Sequence, residues 1–279
     1  MSARTRESWL EAHPYLRPIA ELSARVERAA SEIDLPPAPL PDFDAFREEH
    51  AAGIPLLSSA VSLVEAEPAG QHIAALLRNL VGEPLPGSMA EEVSGLAAKV
   101  RSNPELSARI VQWLLGDDSF EPSSPGLLRF LGWTALARHL GPAVEAFARW
   151  RDEDRWLRRY CPTCGSLPAM AQIAGVDQVR LRLLSCGCCQ TRWRYRRTQC
   201  PFCENDSQRL SGIKLEGEPE LRIDHCQECR GYLKTYVGQG EEQLLLADWS
   251  SLHLDLLAHD RGLKRQAMSL FDLESLVRC

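Results

Sequence analysis

The chain has 279 residues, 25% of them charged and 44% hydrophobic, enough for about two globular domains with buried cores. Its formal charge of −6 argues against a protein that simply coats nucleic acid. No apolar run approaches the roughly 20 residues of a membrane span, and the opening MSARTRESWLEAHPYL has no apolar stretch of signal-peptide length; a cytoplasmic protein without membrane insertion is expected.

Residues 1–155 read as helices punctuated by Pro and Gly, and an all-α helical bundle is expected there. Ala20–Ile33 is rich in helix formers and stops before Pro36-Pro37. Asp42 is placed to cap a helix that ends at Gly53. Ser88 and Glu91 have capping-box spacing. Asn103 caps a helix with Pro104 at its first position and Gly116 at its end. Leu106, Ile110, Trp113 and Leu114 recur at helical spacing. Residues 117–126, DDSFEPSSPG, read as a loop, and Pro142 as the start of another helix. His13, His50, His72 and His139 stand alone and read as surface or satisfied core groups. No nucleophile elbow, phosphate loop or paired-carboxylate signature appears, so no catalytic residue is assigned and no enzyme is expected.

The composition changes near residues 150–160. None of the ten cysteines precedes Cys161, nine lie between Cys161 and Cys229, and Cys279 is a lone thiol. In a reducing compartment, clustered Cys pairs point to metal or redox chemistry before structural disulfides. Cys161, Cys164, Cys186 and Cys189 align with Cys200, Cys203, Cys226 and Cys229 at offsets of 39 or 40 residues. Each set is C-x2-C, 21 or 22 residues, then C-x2-C, and each opens with Cys-Pro-x-Cys. A tandem duplication explains this and predicts two four-thiolate sites. Cys188 aligns with Glu228 and falls outside both sets. His225, beside Cys226, is expected to support a ligand rather than to be one.

Four thiolates must converge tetrahedrally, with sulfur about 2.3 Å from a zinc ion. Gly165 after the first pair suits a turn at positive φ, whereas the second unit has Glu204 there. Between the pairs the chain is expected to fold back as a hairpin. Val179, Leu181 and Leu183 alternate with Arg180 and Arg182, and Leu221 and Ile223 flank Arg222; both fit half-buried strands. TRWRYRR and YLKTYVG supply a third strand each. Units of about 40 residues bury too little apolar surface to stand alone, so metal is expected to hold them. Spacing leaves Zn²⁺ and a rubredoxin-type iron both open.

RWRYRR, Arg192–Arg197, sets arginines beside aromatics as single-stranded nucleic-acid grooves do. Residues 161–240 carry 11 Lys/Arg against 8 Asp/Glu. Two tetrathiolate centres, each −2, more than offset that excess, so the arginines read as balancing the metal sites. A closing helix is expected from about Ser250 to Gly262, with His253 and His259 at its surface.

RRYCPTCGSLPAMAQI, a C-x2-C before QTRWRYRRTQCPFCEN, and HCQECRGYLKTY resemble the formate dehydrogenase accessory protein FdhE family, most specifically over residues 156–240. The resemblance implies a non-catalytic, cytoplasmic maturation factor that binds the catalytic subunit of respiratory formate dehydrogenase. It implies rubredoxin-like sites at the eight paired cysteines, holding two metal ions, iron in preference to zinc. The expected organisation is an all-α domain (1–155), two four-Cys rubredoxin-like or zinc-ribbon modules (156–199 and 200–245) and a C-terminal helix and tail (246–279). The client is expected to touch both halves, with Trp193 and Tyr195 as partly exposed contact residues. A rubredoxin-like iron or electron carrier and a nucleic-acid-binding zinc ribbon are the competing functions.

Overall fold

Thr5 and Ser8 form a reciprocal capping box over helix α1, Arg6–Ala12. Helices α2 (Arg17–Ser31), α3 (Arg47–Ala52), α4 (Ala66–Leu80), α5 (Met89–Ser102), α6 (Glu105–Leu114), α7 (Pro125–Trp150) and α8 (Glu153–Trp156) follow. The computed structural model describes residues 5–59, 64–175 and 180–271. Among these, no helix is long and apolar enough to cross a membrane. The chain divides into two units. One is helical and uses residues 19–49 and 56–151; the other uses the residues up to 18, 50–55 and 152–269 and holds every described cysteine.

In the helical unit α4 packs against α5, α6 and α7. Ile73, Leu76, Leu77 and Leu80 of α4 meet a core that includes Ile110, Val111, Leu131 and Leu136, all at most 1% exposed. A Cβ on Gly70 would fall 2.8 Å from the Ser107 backbone, so only glycine permits this approach of α4 to α6. Ser107 is accordingly buried with Ile110 and Val111, which shifts the inward stripe of α6 away from Leu106. Phe46, Leu56 and Phe147 form a second cluster beneath Phe43 and Trp150.

Several expected helix ends move. Ser88 donates to Glu92 instead of capping, so the Ser88–Glu91 box does not form. Asn103 closes α5, and α6 begins after Pro104. Asp42 accepts from the Asp44 and Ala45 amides, making a turn ahead of α3. Pro142 lies inside α7, which starts at Pro125. Proline costs a helix interior roughly 3 kcal/mol. Burial of Leu140, Ala143 and Phe147 across that turn outweighs it, since each large side chain contributes about 2 kcal/mol.

The other unit is built on one sheet. Its strands are β1 (Met170–Ala174), β2 (Leu181–Ser185), β3 (Arg192–Tyr195), β4 (Leu210–Leu215), β5 (Glu218–Cys226), β6 (Gly231–Val237) and β7 (Lys264–Arg265). The order is β3-β2-β1-β6-β5-β4, with β7 also on β6. Each four-Cys segment contributes an antiparallel three-strand meander. The meanders join through a parallel pairing of β1 with β6, Ala171 opposite Thr235. This explains why β1 is buried at every residue and β6 at all but its last. Leu221 and Ile223 point inward as the alternation predicts, but β2 is reversed: Leu181 is exposed while Arg182 and Leu184 are buried. Val179 lies outside the described residues.

Short helix α9 (Glu242–Leu245) and closing helix α10 (Leu252–Asp260) bring the tail back to the sheet. Lys234, on central strand β6, is 1% exposed. Its ammonium lies 2.5 Å from Asp248 and 2.8 Å from Asp255, and Arg265 meets the same two carboxylates. Two cations therefore face two anions, which is what makes their burial tolerable. Burial alone raises the Asp248 carboxyl, but Arg265 and Lys234 hold it well below the usual range.

Candidate metal centre

Eight sulfurs gather into two groups of four. Cys161, Cys164, Cys186 and Cys189 form one group; Cys200, Cys203, Cys226 and Cys229 form the other, with the atoms of each group within 4.8 Å of one another. All eight are free thiols. In the first group Cys161 Sγ lies 3.4 Å from Cys189 Sγ, and Cys164 Sγ 3.4 Å from Cys186 Sγ. In the second, the matching distances are 3.8 Å for Cys200–Cys229 and 3.7 Å for Cys203–Cys226. A tetrahedral ion with sulfur bonds of about 2.3 Å sets its sulfurs about 3.8 Å apart. The second group has those dimensions, and the first needs only a slight expansion.

Local turns aim the sulfurs. The residue after the second cysteine of every pair has a left-handed backbone: Gly165 at φ 77°, Gln190 at 65°, Glu204 at 60° and Arg230 at 60°. Glu204 thus takes the conformation that glycine takes in the first unit. The turn brings the Gly165, Glu204 and Arg230 amides onto the carbonyls of Cys161, Cys200 and Cys226. It also brings the amides of Thr163, Cys188 and Phe202 to 3.4 Å from the sulfurs of Cys161, Cys186 and Cys200. The fourth turn instead sends the Gly231 amide to Cys229, also at 3.4 Å. Amide donors favour the thiolate, the form that binds metal.

The thiols of each group are pushed in opposite directions. Hydrogen bonds from Cys161, Cys186 and Cys189 hold Cys164 well below the ordinary thiol range, while burial pushes Cys189 up. In the second group burial pushes Cys200 up to about 12. At Cys203 burial is outweighed by the Asn205 amide and the three neighbouring thiols, and the net shift is downward. Four thiols crowded together cannot all ionise unaided. A divalent or trivalent cation supplies the missing charge, so the donor set fits a metal.

Comparison with known proteins agrees with this geometry. Residues 160–197 match the family model described as FdhE, central domain. A protein FdhE homolog from Pseudomonas aeruginosa is 33% identical over 277 residues, covering 91% of this chain and 84% of that protein.

The chain belongs to the FdhE family.

A protein FdhE homolog from Citrobacter koseri is 28% identical over 233 residues, covering 81% of this chain and 72% of that protein. The crystal structure of the FdhE protein from Pseudomonas aeruginosa superposes with a TM-score of 0.65 at 28% identity, covering 94% of this chain and 91% of that one. The helical N-terminal region, two four-Cys clusters, strand region and closing helix are therefore those of an FdhE-family protein, the formate dehydrogenase accessory family.

Within this FdhE-family fold, Cys188 is buried but lies outside the first sulfur group, with the Ser166 hydroxyl 3.7 Å from its sulfur. His225 also lies outside the second group and lines a cavity of about 220 Å³ beside Cys200 and Cys226. Trp193 and Tyr195 are not partly exposed, as the sequence suggested: they are 0% and 2% exposed. The Trp193 indole donates to the Arg158 carbonyl at 2.9 Å, and Tyr195 donates to Gln199 at 3.1 Å. β3 is an edge strand whose aromatic side chains are buried, and α8 lies beside it. Arg194 pairs with Asp154, and Arg192 donates to Gln172. Sequence reasoning also missed buried Arg182, which lines the same cavity and donates to the Gln199 carbonyl at 3.0 Å. An arginine alternating with leucines gives no sign of such burial.

Proposed function

We propose that this chain is a non-catalytic maturation factor for the catalytic subunit of respiratory formate dehydrogenase, acting in the cytoplasm and carrying one metal ion, iron in preference to zinc, in each four-Cys group. The observation that carries this reading is the pairing of FdhE-family membership with two complete four-sulfur groups on one sheet. Cys161, Cys164, Cys186 and Cys189 would hold one ion, and Cys200, Cys203, Cys226 and Cys229 the other. Bound there, iron supplies a one-electron centre of the rubredoxin type. The protein's own contribution is to present thiolates and amide donors in fixed positions and to shield them from water.

A rubredoxin-like carrier role has one specific support. Cys203 and Cys229 of the second group are partly exposed, whereas three of the four cysteines in the first group are buried. A nucleic-acid role has less support, because Arg192 and Arg194 are engaged within the unit.

Affinity capture from anaerobically grown cells tests the proposal. Recovery of a formate dehydrogenase catalytic subunit with the intact protein, and its loss with Cys161→Ser/Cys200→Ser, is expected. Capture without that subunit, together with full formate dehydrogenase activity in a deletion strain, would sink it.

A further inference from the structure

Three side chains that the sequence shows no reason to connect meet away from the cysteines. His13 closes α1, Glu218 opens β5 after the Glu216-Gly217 turn, and His253 lies in the first turn of α10. His13 Nε2 is 3.0 Å from Glu218 Oε1, and His253 Nε2 is 2.9 Å from Glu218 Oε2. The imidazoles stack with centroids 5.2 Å apart. Side-chain exposure is 8%, 14% and 11% for His13, Glu218 and His253, so the cluster is largely withdrawn from solvent. All three ligand atoms lie within 4.8 Å of one another.

The hydrogen-bond roles at His13 call for a positive charge, a proton or a metal ion, between its Nε2 and Glu218. Its Nδ1 lies 3.0 Å from the Trp9 carbonyl oxygen, which can only accept, so the Nδ1 proton is fixed there. Without a proton or a metal ion on it, Nε2 would turn a lone pair towards a carboxylate oxygen. Two acceptors at 3.0 Å repel unless a positive charge sits between them. Metal-bound histidines are oriented in this way, the far nitrogen donating to a backbone carbonyl. The Trp9 ring stacks on His13 at 3.9 Å and its indole donates to the Ser250 carbonyl at 3.0 Å, which fixes the imidazole against the start of the closing helix. Neighbouring ligands at right angles on an octahedral ion, with bonds of about 2.1 Å, stand about 3.0 Å apart, a spacing that the two N···O separations of 3.0 and 2.9 Å share with an ordinary ion pair.

We infer that His13, Glu218 and His253 form a third cation site, separate from the two four-Cys groups, for a borderline divalent ion such as Zn²⁺ or Fe²⁺. Two imidazoles and one carboxylate suit that class, and the set leaves coordination positions open. The exposed Tyr15 packs edge-on against both imidazoles, at 5.8 and 6.0 Å, on a side that solvent reaches. Ion binding there would fasten the N-terminal helix, the second hairpin and the closing helix to one point.

The test uses the full-length protein with its four-Cys groups already filled with Zn²⁺, titrated with Co²⁺. One further equivalent should bind, with weak d–d bands and no thiolate-to-cobalt charge transfer. Glu218→Gln and His253→Ala should each weaken that equivalent at least tenfold and leave the zinc content and circular dichroism unchanged. Absence of a further equivalent in the wild type would overturn the inference, as would binding that survives both substitutions. Absence together with NMR titration of a His13 imidazolium coupled to Glu218 would identify the cluster as a proton-held latch instead.

Discussion

The Trp193 indole N–H donates to the Arg158 carbonyl oxygen at 2.9 Å, three residues ahead of Cys161. Edge strand β3 therefore holds the approach to the first sulfur group, and a large ring does so from a fully buried position. Trp193→Ala should cost about 3–5 kcal/mol by leaving a cavity and should release metal from the first group before the second. Metal content against urea concentration checks this. Loss of client binding with full metal retention would instead make Trp193 a contact residue.

The left-handed turns make opposite predictions at aligned positions. A non-glycine residue pays roughly 1 kcal/mol or more in that conformation, and Glu204 sits there at φ 60°. Glu204→Gly should leave stability unchanged or raise it by up to about 1 kcal/mol. Gly165→Ala should lower it by about 1–2 kcal/mol, helped by a 3.2 Å contact of the new Cβ with Pro55. Denaturant midpoints of the metal-loaded proteins decide it. Equal effects at the two sites would show that the turns are not equivalent.

Lys234 neutralises Asp248 and Asp255 beneath the sheet. Lys234→Ala should cost about 3–5 kcal/mol, because it strands a buried carboxylate. Hydrogen exchange should show α10 and β7 loosening first, since both depend on those carboxylates. A cost below 1 kcal/mol would mean that Arg265 alone suffices.

In the helical unit His139 packs against His72 with ring centroids 4.4 Å apart. Burial and the neighbouring His72 charge push His139 down to about 4. The unfolded chain, with an ordinary histidine near 6.5, takes up a proton first as pH falls. Stability should therefore decline from about pH 6.5 towards 4 and be restored on raising the pH. His139→Gln should flatten that slope in urea titrations of the full chain followed at the helical signal. An unchanged slope would place the acid sensitivity elsewhere.

Local spacing made much of this molecule legible. The offset of 39 or 40 residues between Cys pairs picks out the two sulfur groups and leaves Cys188 outside, because a tight turn imposes spacing that survives duplication. Leu221 and Ile223 reveal β5 through simple alternation. What stayed hidden depends on distant partners. The parallel pairing of β1 with β6 carries no local signature. Arg182 reads as exposed because alternation cannot see that its face borders a cavity that Asp224 also lines. Pro142 reads as a helix start because the burial that carries α7 through it comes from other helices. His13, Glu218 and His253 look solitary, since 205 residues separate His13 from Glu218.

The most direct measurement is a cobalt titration of the metal-free, full-length chain, following the thiolate-to-cobalt charge-transfer band. The band should rise to two equivalents and stop, because any ion at His13, Glu218 and His253 adds no sulfur bond. Cys186→Ser and Cys200→Ser should each halve the full-intensity signal, and Cys188→Ser should leave it intact. Saturation at one equivalent, or a loss with Cys188→Ser that Cys186→Ser does not produce, would show that the eight thiols do not act as two groups of four.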